Sequence, residues 1–379
     1  MPQNMCTTQA FNDEIIEAIK KEKIEHLSVI SAKELKKADL KPVDFLIKNI
    51  LPEGCSMIAA APKIGKSWFV LDMGLSVASG ETFLSQETKK ANVLYLALED
   101  SENRLQDRMN KVLANGEAPD GFYFVTKVPT MDNGFIESLD EIVTALRIKL
   151  VIIDTFQKIR GTAKKNESPY QHDYREMGAL KAWADSKGVS LFFVHHIRKM
   201  LDENDIYNMI SGSQGIMGAL DTTYLLYKKR DEEKAVLHIT GRDVMQRSDV
   251  ITFNTELYKW TVIGDFGELQ KQQRKHIHNS SPIVKTLVKL LDENGGTWRG
   301  NMTDLLCEGE RITGEDIAET PRKLSFAISK MTKELSFYNN IVVNSSKNGS
   351  GGKMYSFTRT STVINDVYAD FNADEYIEL

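Results

Sequence analysis

Cysteine is scarce in this sequence. Its 379 residues include three, Cys6, Cys55 and Cys307, far apart and without a CxxC pair. That argues against a disulfide scaffold and against a cysteine-rich zinc site. No apolar run approaches the roughly 20 residues that a membrane span needs. The opening stretch MPQNMCTTQAFNDEIIEAIKK lacks the apolar core of a signal peptide. Both absences lead to the expectation of a cytoplasmic protein with no membrane role. No internal repeat is visible. Positive charge is not in excess either: 48 Lys and Arg stand against 53 Asp and Glu, a net charge of −5. Taken as one number, that charge counts against a nucleic-acid partner. Composition is otherwise that of an ordinary soluble protein, 41% hydrophobic and 27% charged. At about 100–200 residues per domain, the length suggests two or three domains.

Residues 1–44 are polar and rich in Lys and Glu, with helical spacing of Ile15, Ile16, Ile19 and Ile24 within 11–27 and a connector after it. From Phe45 short apolar runs alternate with longer amphipathic stretches. Strand then helix, repeated, is the pattern of an α/β domain with a mostly parallel sheet. The runs VLYLAL, KLVIID and VSLFFVHH are almost continuously apolar, as strands covered on both faces are. After Ala219 four short strand-like segments extend the sheet as a meander up to residue 265. Residues 266–281 read as an interdomain linker. Residues 282–360 read as a second, small α+β unit: three helices, then two strands around the glycine-rich tip SSKNGSGGK, the pattern of a winged helix. Residues 361–379 hold five acids and no base and form an acidic tail.

The strongest chemical signal is Ala60-Ala61-Pro62-Lys63-Ile64-Gly65-Lys66-Ser67-Trp68. It matches the phosphate-binding Walker A pattern, with Ala in place of the first Gly, between an apolar run and an amphipathic stretch. A loop entering a helix points backbone N–H groups at one spot, and the helix dipole adds positive potential. Residues 61–68 are therefore the expected ATP contacts. Lys66 reaches the β- and γ-phosphates, and Ser67 ligates Mg²⁺. The run LVIID ends in Asp154, the Walker B shape that supports Mg²⁺. A second strand runs into Glu99-Asp100. Glu99 suits activation of the attacking water, and Asp100 suits helix capping or metal support. A fourth runs into His195-His196, which point to opposite faces if the strand is regular.

Together these residues resemble RecA-type ATPases, and most closely the RepA-like replicative hexameric helicases of plasmids and phages. APKIGKSW, VLYLALED, LVIIDTF, FFVHHIRK and GSQGIMGALDTTYLL carry the resemblance, from about Phe45 to Asp265, some 60% of the chain. It implies a RecA-like P-loop core that hydrolyses ATP at the interfaces of a homo-oligomeric ring, a hexamer, and moves along single-stranded DNA in replication of a mobile element. Lys66 and Ser67 would bind phosphate and Mg²⁺, Glu99 would polarise water, and Asp154 would support the metal. His196 aligns with the γ-phosphate sensor, with His195 the other candidate. Arg242 falls where DnaB-like helicases place the arginine finger given to a neighbouring subunit. The RepA-like position for that residue falls near Asp221, an acid, and Arg247 is a second candidate. A bland reading of Arg242 is an exposed turn paired with Asp243.

The resemblance puts pore loops after the Walker B strand, with Arg160, Lys164 and Lys165, and after the fourth strand, with Arg198 and Lys199. Basic side chains there neutralise phosphates without reading bases. Residues 320–360 carry a local charge of +6. Arg322, Lys323, Lys330 and Lys347 are the candidates there for contact with duplex DNA, against the rival that the winged helix binds a protein. Two other classes remain open: a KaiC-like regulatory ATPase and a nucleotide-dependent recombinase filament. The net charge of −5 thus conceals an uneven distribution, with bases gathered at 270–278 and 320–360.

Overall fold

The computed structural model describes residues 30–40, 42–114, 116–197, 206–211, 214–229, 232–347 and 352–360. The chain divides into two units, Met1–Phe45 and Leu46–Leu379. In the first, helix α1 (Ala32–Lys37) occupies part of the expected connector. A reciprocal cap starts it: the Glu34 N–H donates to the Ser31 hydroxyl at 3.2 Å, and the Ser31 N–H donates to the Glu34 carboxylate at 3.0 Å. The helix expected over 11–27 lies outside the described residues, as does the acidic segment 361–379.

After the short strands β1 (Phe45–Ile47) and β2 (Leu51–Pro52), the second unit proceeds through β3 (Gly54–Ala60), α2 (Lys66–Ser79), β4 (Asn92–Ala97), α3 (Glu102–Val112), β5 (Phe122–Val125) and α4 (Phe135–Leu146). It continues through β6 (Ile148–Asp154), α5 (Pro169–Lys187), β7 (Ser190–His196), α6 (Gln214–Ala219), β8 (Thr222–Tyr227), β9 (Lys234–Gly241), β10 (Arg247–Asn254) and β11 (Lys259–Asp265). Nine of these strands form one sheet in the order β11-β10-β9-β8-β3-β7-β6-β4-β5. From β8 to β5 all neighbours are parallel, and from β8 to β11 all are antiparallel. This is the α/β architecture of a RecA-like core with a β-meander on one edge.

Alternation along the strands supplies two buried faces. Val151 and Ile153 of β6 join Leu139 of α4 and Leu180 of α5 in one core. Ile152, between them, lies on the other face, against Gly74 of α2. Each fully buried side chain of this size contributes about 1.5–3 kcal/mol.

The stretch 266–281, expected as a linker, forms helix α7 (Phe266–Ser280). Its Gln, Lys and Arg residues are good helix formers. The Asp265 carboxylate caps its first turn, accepting from the Glu268 N–H at 2.9 Å. Pro282 occupies the first turn of the next helix, where its missing N–H costs nothing.

The remainder comprises α8 (Pro282–Glu293), β12 (Thr297–Gly300), α9 (Met302–Thr313), α10 (Pro321–Asn339), β13 (Ile341–Lys347) and β14 (Lys353–Arg359). Its antiparallel sheet has the order β12-β14-β13. Its own core gathers Leu287, Leu305, Leu324, Ile328, Ile341 and Phe357. Strand β12 was not legible in the sequence: four residues with Gly at the end give no usable period. Residues 348–351, the centre of the glycine-rich tip, lie outside the described residues.

Candidate nucleotide site

Four adjacent parallel strands, β3, β7, β6 and β4, end at one edge of the sheet, and each delivers one of the singled-out groups. Register aligns them: Ala60 pairs with His196, and Ala97 with Asp154. The carboxyl edge of such a sheet is where ligands bind in open α/β folds.

The loop after β3 turns back through Lys63 (φ +68) and Gly65 (φ +98) into α2. Gly65 combines a left-handed conformation with a close neighbour. A Cβ there would lie 3.1 Å from the Trp260 ring. Trp260, from β11, donates its indole N–H to the Gly65 carbonyl at 3.3 Å, so the meander buttresses the loop from outside. Lys66 is buried at the helix start. Its ammonium donates to the Ala60 and Ala61 carbonyls, both at 2.9 Å, and lies 3.3 Å from His196 Nδ1. Burial pulls its pKa down to about 8, while the Asp154 and Glu99 charges act in the opposite direction. Trp68 stacks on Tyr258 with ring centres 5.0 Å apart, and the Arg108 guanidinium lies 5.6 Å from its ring.

Asp154 ends β6 with only 6% of its surface exposed. Tyr95, on β4, donates its hydroxyl to the carboxylate at 2.9 Å, and Ser67 supplies a second hydroxyl. Burial pushes the Asp154 pKa up, and the two hydroxyls work against that. Among the described residues no lysine or arginine pairs with Asp154. Tyr95 was missed by sequence reasoning. The available signal was one hydroxyl-bearing ring inside the apolar run VLYLAL.

Glu99 is exposed just past β4, and the Thr155 hydroxyl donates to it at 3.4 Å. Asp100 does not cap the following helix. It pairs with Arg104 at 3.6 Å and with Arg108, and the cap position belongs to Ser101. A carboxylate held by two cations of the helix that follows it is a structural clamp.

The two histidines separate as strand alternation requires. His196 faces Lys66; burial and then the Lys66 charge lower its pKa. His195 faces away, with Nε2 2.8 Å from the Ser211 carbonyl, and burial lowers its pKa too. Its Nδ1 is buried without a partner. Of the two sensor candidates, His196 is therefore the one at the phosphate loop.

Arg242 sits at the far end of the sheet. Gly241 pairs with Thr222, which pairs with Ser56, so Arg242 is level with the start of β3. At about 3.3 Å per residue that is roughly 17 Å of strand from the phosphate loop. Its side chain is 60% exposed and pairs with Asp221 at 3.5 Å, not with Asp243. Arg247 is mostly buried and lies 3.1 Å from Asp249.

Among the expected nucleic-acid contacts, Arg160 is a correction. Its guanidinium pairs with Asp173 and, at 3.0 Å, with Glu176, and lies over the Phe156 ring at 5.5 Å. It is spent inside the protein because two buried carboxylates on α5 need a cation. Lys164 and Lys165 are exposed. Arg198 and Lys199 lie outside the described residues. On α10 and the hairpin, Arg322, Lys323, Lys330 and Lys347 are exposed. Lys323 pairs with Glu319, and the Lys330 ammonium lies 4.6 Å from the Phe326 ring centre.

Residues 20–201, just under half of the chain, match the family model described as an AAA domain. Among solved structures, the chain is similar to a KaiC-like protein of the hyperthermophilic archaeon Pyrococcus horikoshii. The identity is 15% and the TM-score 0.41, over 58% of this chain and 99% of that one. No curated protein matches. Fold, phosphate loop and strand-end carboxylates define a RecA-like P-loop ATPase domain. No helix among the described residues is long and apolar enough to cross a membrane.

Proposed function

We propose that this protein is a ring-forming, ATP-driven helicase or translocase on single-stranded DNA, of the RepA-like hexameric type, serving replication of a plasmid, phage or other mobile element. The position of Arg242 carries the reading. An exposed arginine at the far end of the sheet cannot touch the nucleotide of its own chain. It can complete the site of a neighbouring copy, as an arginine finger given in trans does.

Within one site the chain's own groups divide the work. The N–H groups at the start of α2 receive phosphate oxygens. Lys66 exchanges carbonyl partners for phosphate oxygens, and the added negative charge raises its pKa from about 8. Glu99 orients a water and accepts its proton as the water attacks the terminal phosphate. His196, touching Lys66, reads whether that phosphate is present. Ser67 and Asp154 would hold Mg²⁺. They are hard oxygen donors, and the Asp154 carboxylate is buried with hydroxyl partners only, a donor set that suits the ion. When bound, the ion neutralises phosphate charge.

The small α+β unit fits a winged helix. Three helices precede a hairpin, and Arg322, Lys330 and Lys347 are exposed for duplex DNA. Lys164 and Lys165 serve the single strand at the ring's centre.

Subunit mixing tests this. Arg242→Ala and Lys66→Ala proteins are each expected to lose ATP hydrolysis and unwinding. Mixed, they should regain hydrolysis, because an intact phosphate loop then meets an intact arginine. A mixture no more active than its components would overturn the trans assignment. ATPase activity indifferent to single-stranded DNA would overturn the translocase reading.

A further inference from the structure

Tyr170 and Tyr174 stand one turn apart at the start of α5, and neither is used by the site above. They are 50% and 54% exposed. Their rings are nearly parallel, 8° between planes, with centres 6.1 Å apart. Leaving two large rings in water while ordering them against each other costs side-chain entropy and forgoes burial. By contrast, Phe337 meets Tyr338 edge-on at 77°, which offers no shared face.

The surroundings of the tyrosine pair are held firmly. Ser168 and Gln171 form a reciprocal cap, and Pro169 occupies the first turn of α5. Glu167 accepts two bonds from Arg175, at 2.8 and 3.1 Å, and one from the Lys164 N–H at 2.7 Å. The loop bearing exposed Lys164 and Lys165 is thereby folded onto the turns that carry the tyrosines. Glu176 accepts from the Gly161 N–H at 2.8 Å and from Arg160 at 3.0 Å. Through Arg160 and Phe156, whose ring lies 6.2 Å from that of His195, these turns join the strand end next to the phosphate loop.

The geometry points to Tyr170 and Tyr174 as a base-stacking platform for single-stranded nucleic acid, with Lys164 and Lys165 taking the phosphates. Parallel aromatic faces beside basic groups are the two components of sequence-tolerant single-strand binding. Every base has a π-face to stack, and every phosphate a charge to neutralise. Arg160 is a positioning residue for the platform: it ties α5 to the nucleotide edge without reaching the strand. This inference rests on the nucleic-acid reading above and assigns the surface that carries it.

The test compares a fluorescein-labelled oligo(dT) 20-mer with an abasic chain of equal length, by anisotropy, with a non-hydrolysable ATP analogue present. The unaltered protein should prefer oligo(dT) by roughly tenfold or more, the scale of one or two stacked bases. Tyr170→Ala/Tyr174→Ala should bind both chains alike, at the abasic level. Tyr170→Phe/Tyr174→Phe should keep the preference, since the ring and not the hydroxyl does the stacking. Lys164→Ala/Lys165→Ala should weaken both chains equally and flatten the salt dependence by about 1.4 log units per log unit of salt. Circular dichroism melting checks that each variant is folded. If the unaltered protein binds neither chain, the nucleic-acid reading fails and this inference with it. If it prefers oligo(dT) and the alanine pair keeps that preference, only the platform fails. A lowered oligomer mass with base preference retained would assign the pair to a subunit contact instead, and would equally overturn the platform.

Discussion

Asp154 and Asp221 are both buried acids at the ends of one sheet, 6% and 7% exposed. Their partners differ. Asp221 accepts the Cys55 N–H at 2.9 Å, pairs with Lys181, and lies 3.5 Å from Arg242. Its place is so filled that a Cβ on Gly54, at φ +102, would collide with the carboxylate. Asp154 has hydroxyls from Tyr95 and Ser67, and burial raises its pKa. A buried carboxylate already neutralised by a lysine in direct contact holds structure together. One supplied with hydroxyls alone can still accept a cation, and it lies at the phosphate loop. Burial and residue type are the same at both ends; the charge of the partners separates an acid already spent on structure from one still open to a cation.

The largest effect expected at the working end is that of Lys66→Ala. It removes the ammonium aimed at the phosphates and should cut ATP hydrolysis by on the order of 10²–10³-fold, measured as phosphate release. Glu99→Gln keeps the side-chain shape and removes the base. Hydrolysis should fall by about 10²-fold while binding of a fluorescent ATP analogue is retained; loss of both would move Glu99 from proton transfer to binding.

At the structural end, Asp221→Asn should cost about 1.5–3 kcal/mol of stability, the scale of hydrogen bonds to charged groups. Urea unfolding reads it as a lower midpoint at unchanged slope. An unchanged midpoint would erase the contrast between the two acids.

The smallest expected effect is of pH on nucleotide affinity. The folded Lys66 pKa is lowered to about 8 from 10.5, so its charge is lost on going above pH 8. ATP affinity should therefore decline several-fold from pH 7 to pH 9, with proton uptake on binding at the upper end, by calorimetry in buffers of different ionisation heat. The same shift has a sign for folding. Below pH 8 both folded and unfolded chains carry the Lys66 proton and the cost of the buried charge is fully present. Between 8 and 10.5 the unfolded chain holds more protons, and that cost is relieved.

Much of the nucleotide end was legible in the sequence because each strand announces itself by an apolar run and ends in its polar residue. The phosphate loop, Asp154, Glu99 and the opposite facing of His195 and His196 all follow from local pattern. What was not legible depends on distant partners. Tyr95 looks like one more apolar position until its hydroxyl meets Asp154. Trp260 is 195 positions from Gly65, whose carbonyl it binds. Arg160 looks like a free cation until Asp173 and Glu176 close on it. The helical state of 266–281 was not legible for another reason: a polar, basic stretch has no core-facing period, yet its residues favour a helix once Asp265 caps it.

The contrast between the two acids is tested most directly by Asp154→Asn, with ATP hydrolysis and urea unfolding measured on the same preparation. Hydrolysis is expected to fall by on the order of 10²-fold, with the unfolding midpoint lowered less than in Asp221→Asn, since no cation is in contact with Asp154 and only the Lys66 charge acts on it from further off. Hydrolysis at the rate of the unaltered protein, or a midpoint lowered as far as in Asp221→Asn, would contradict that contrast.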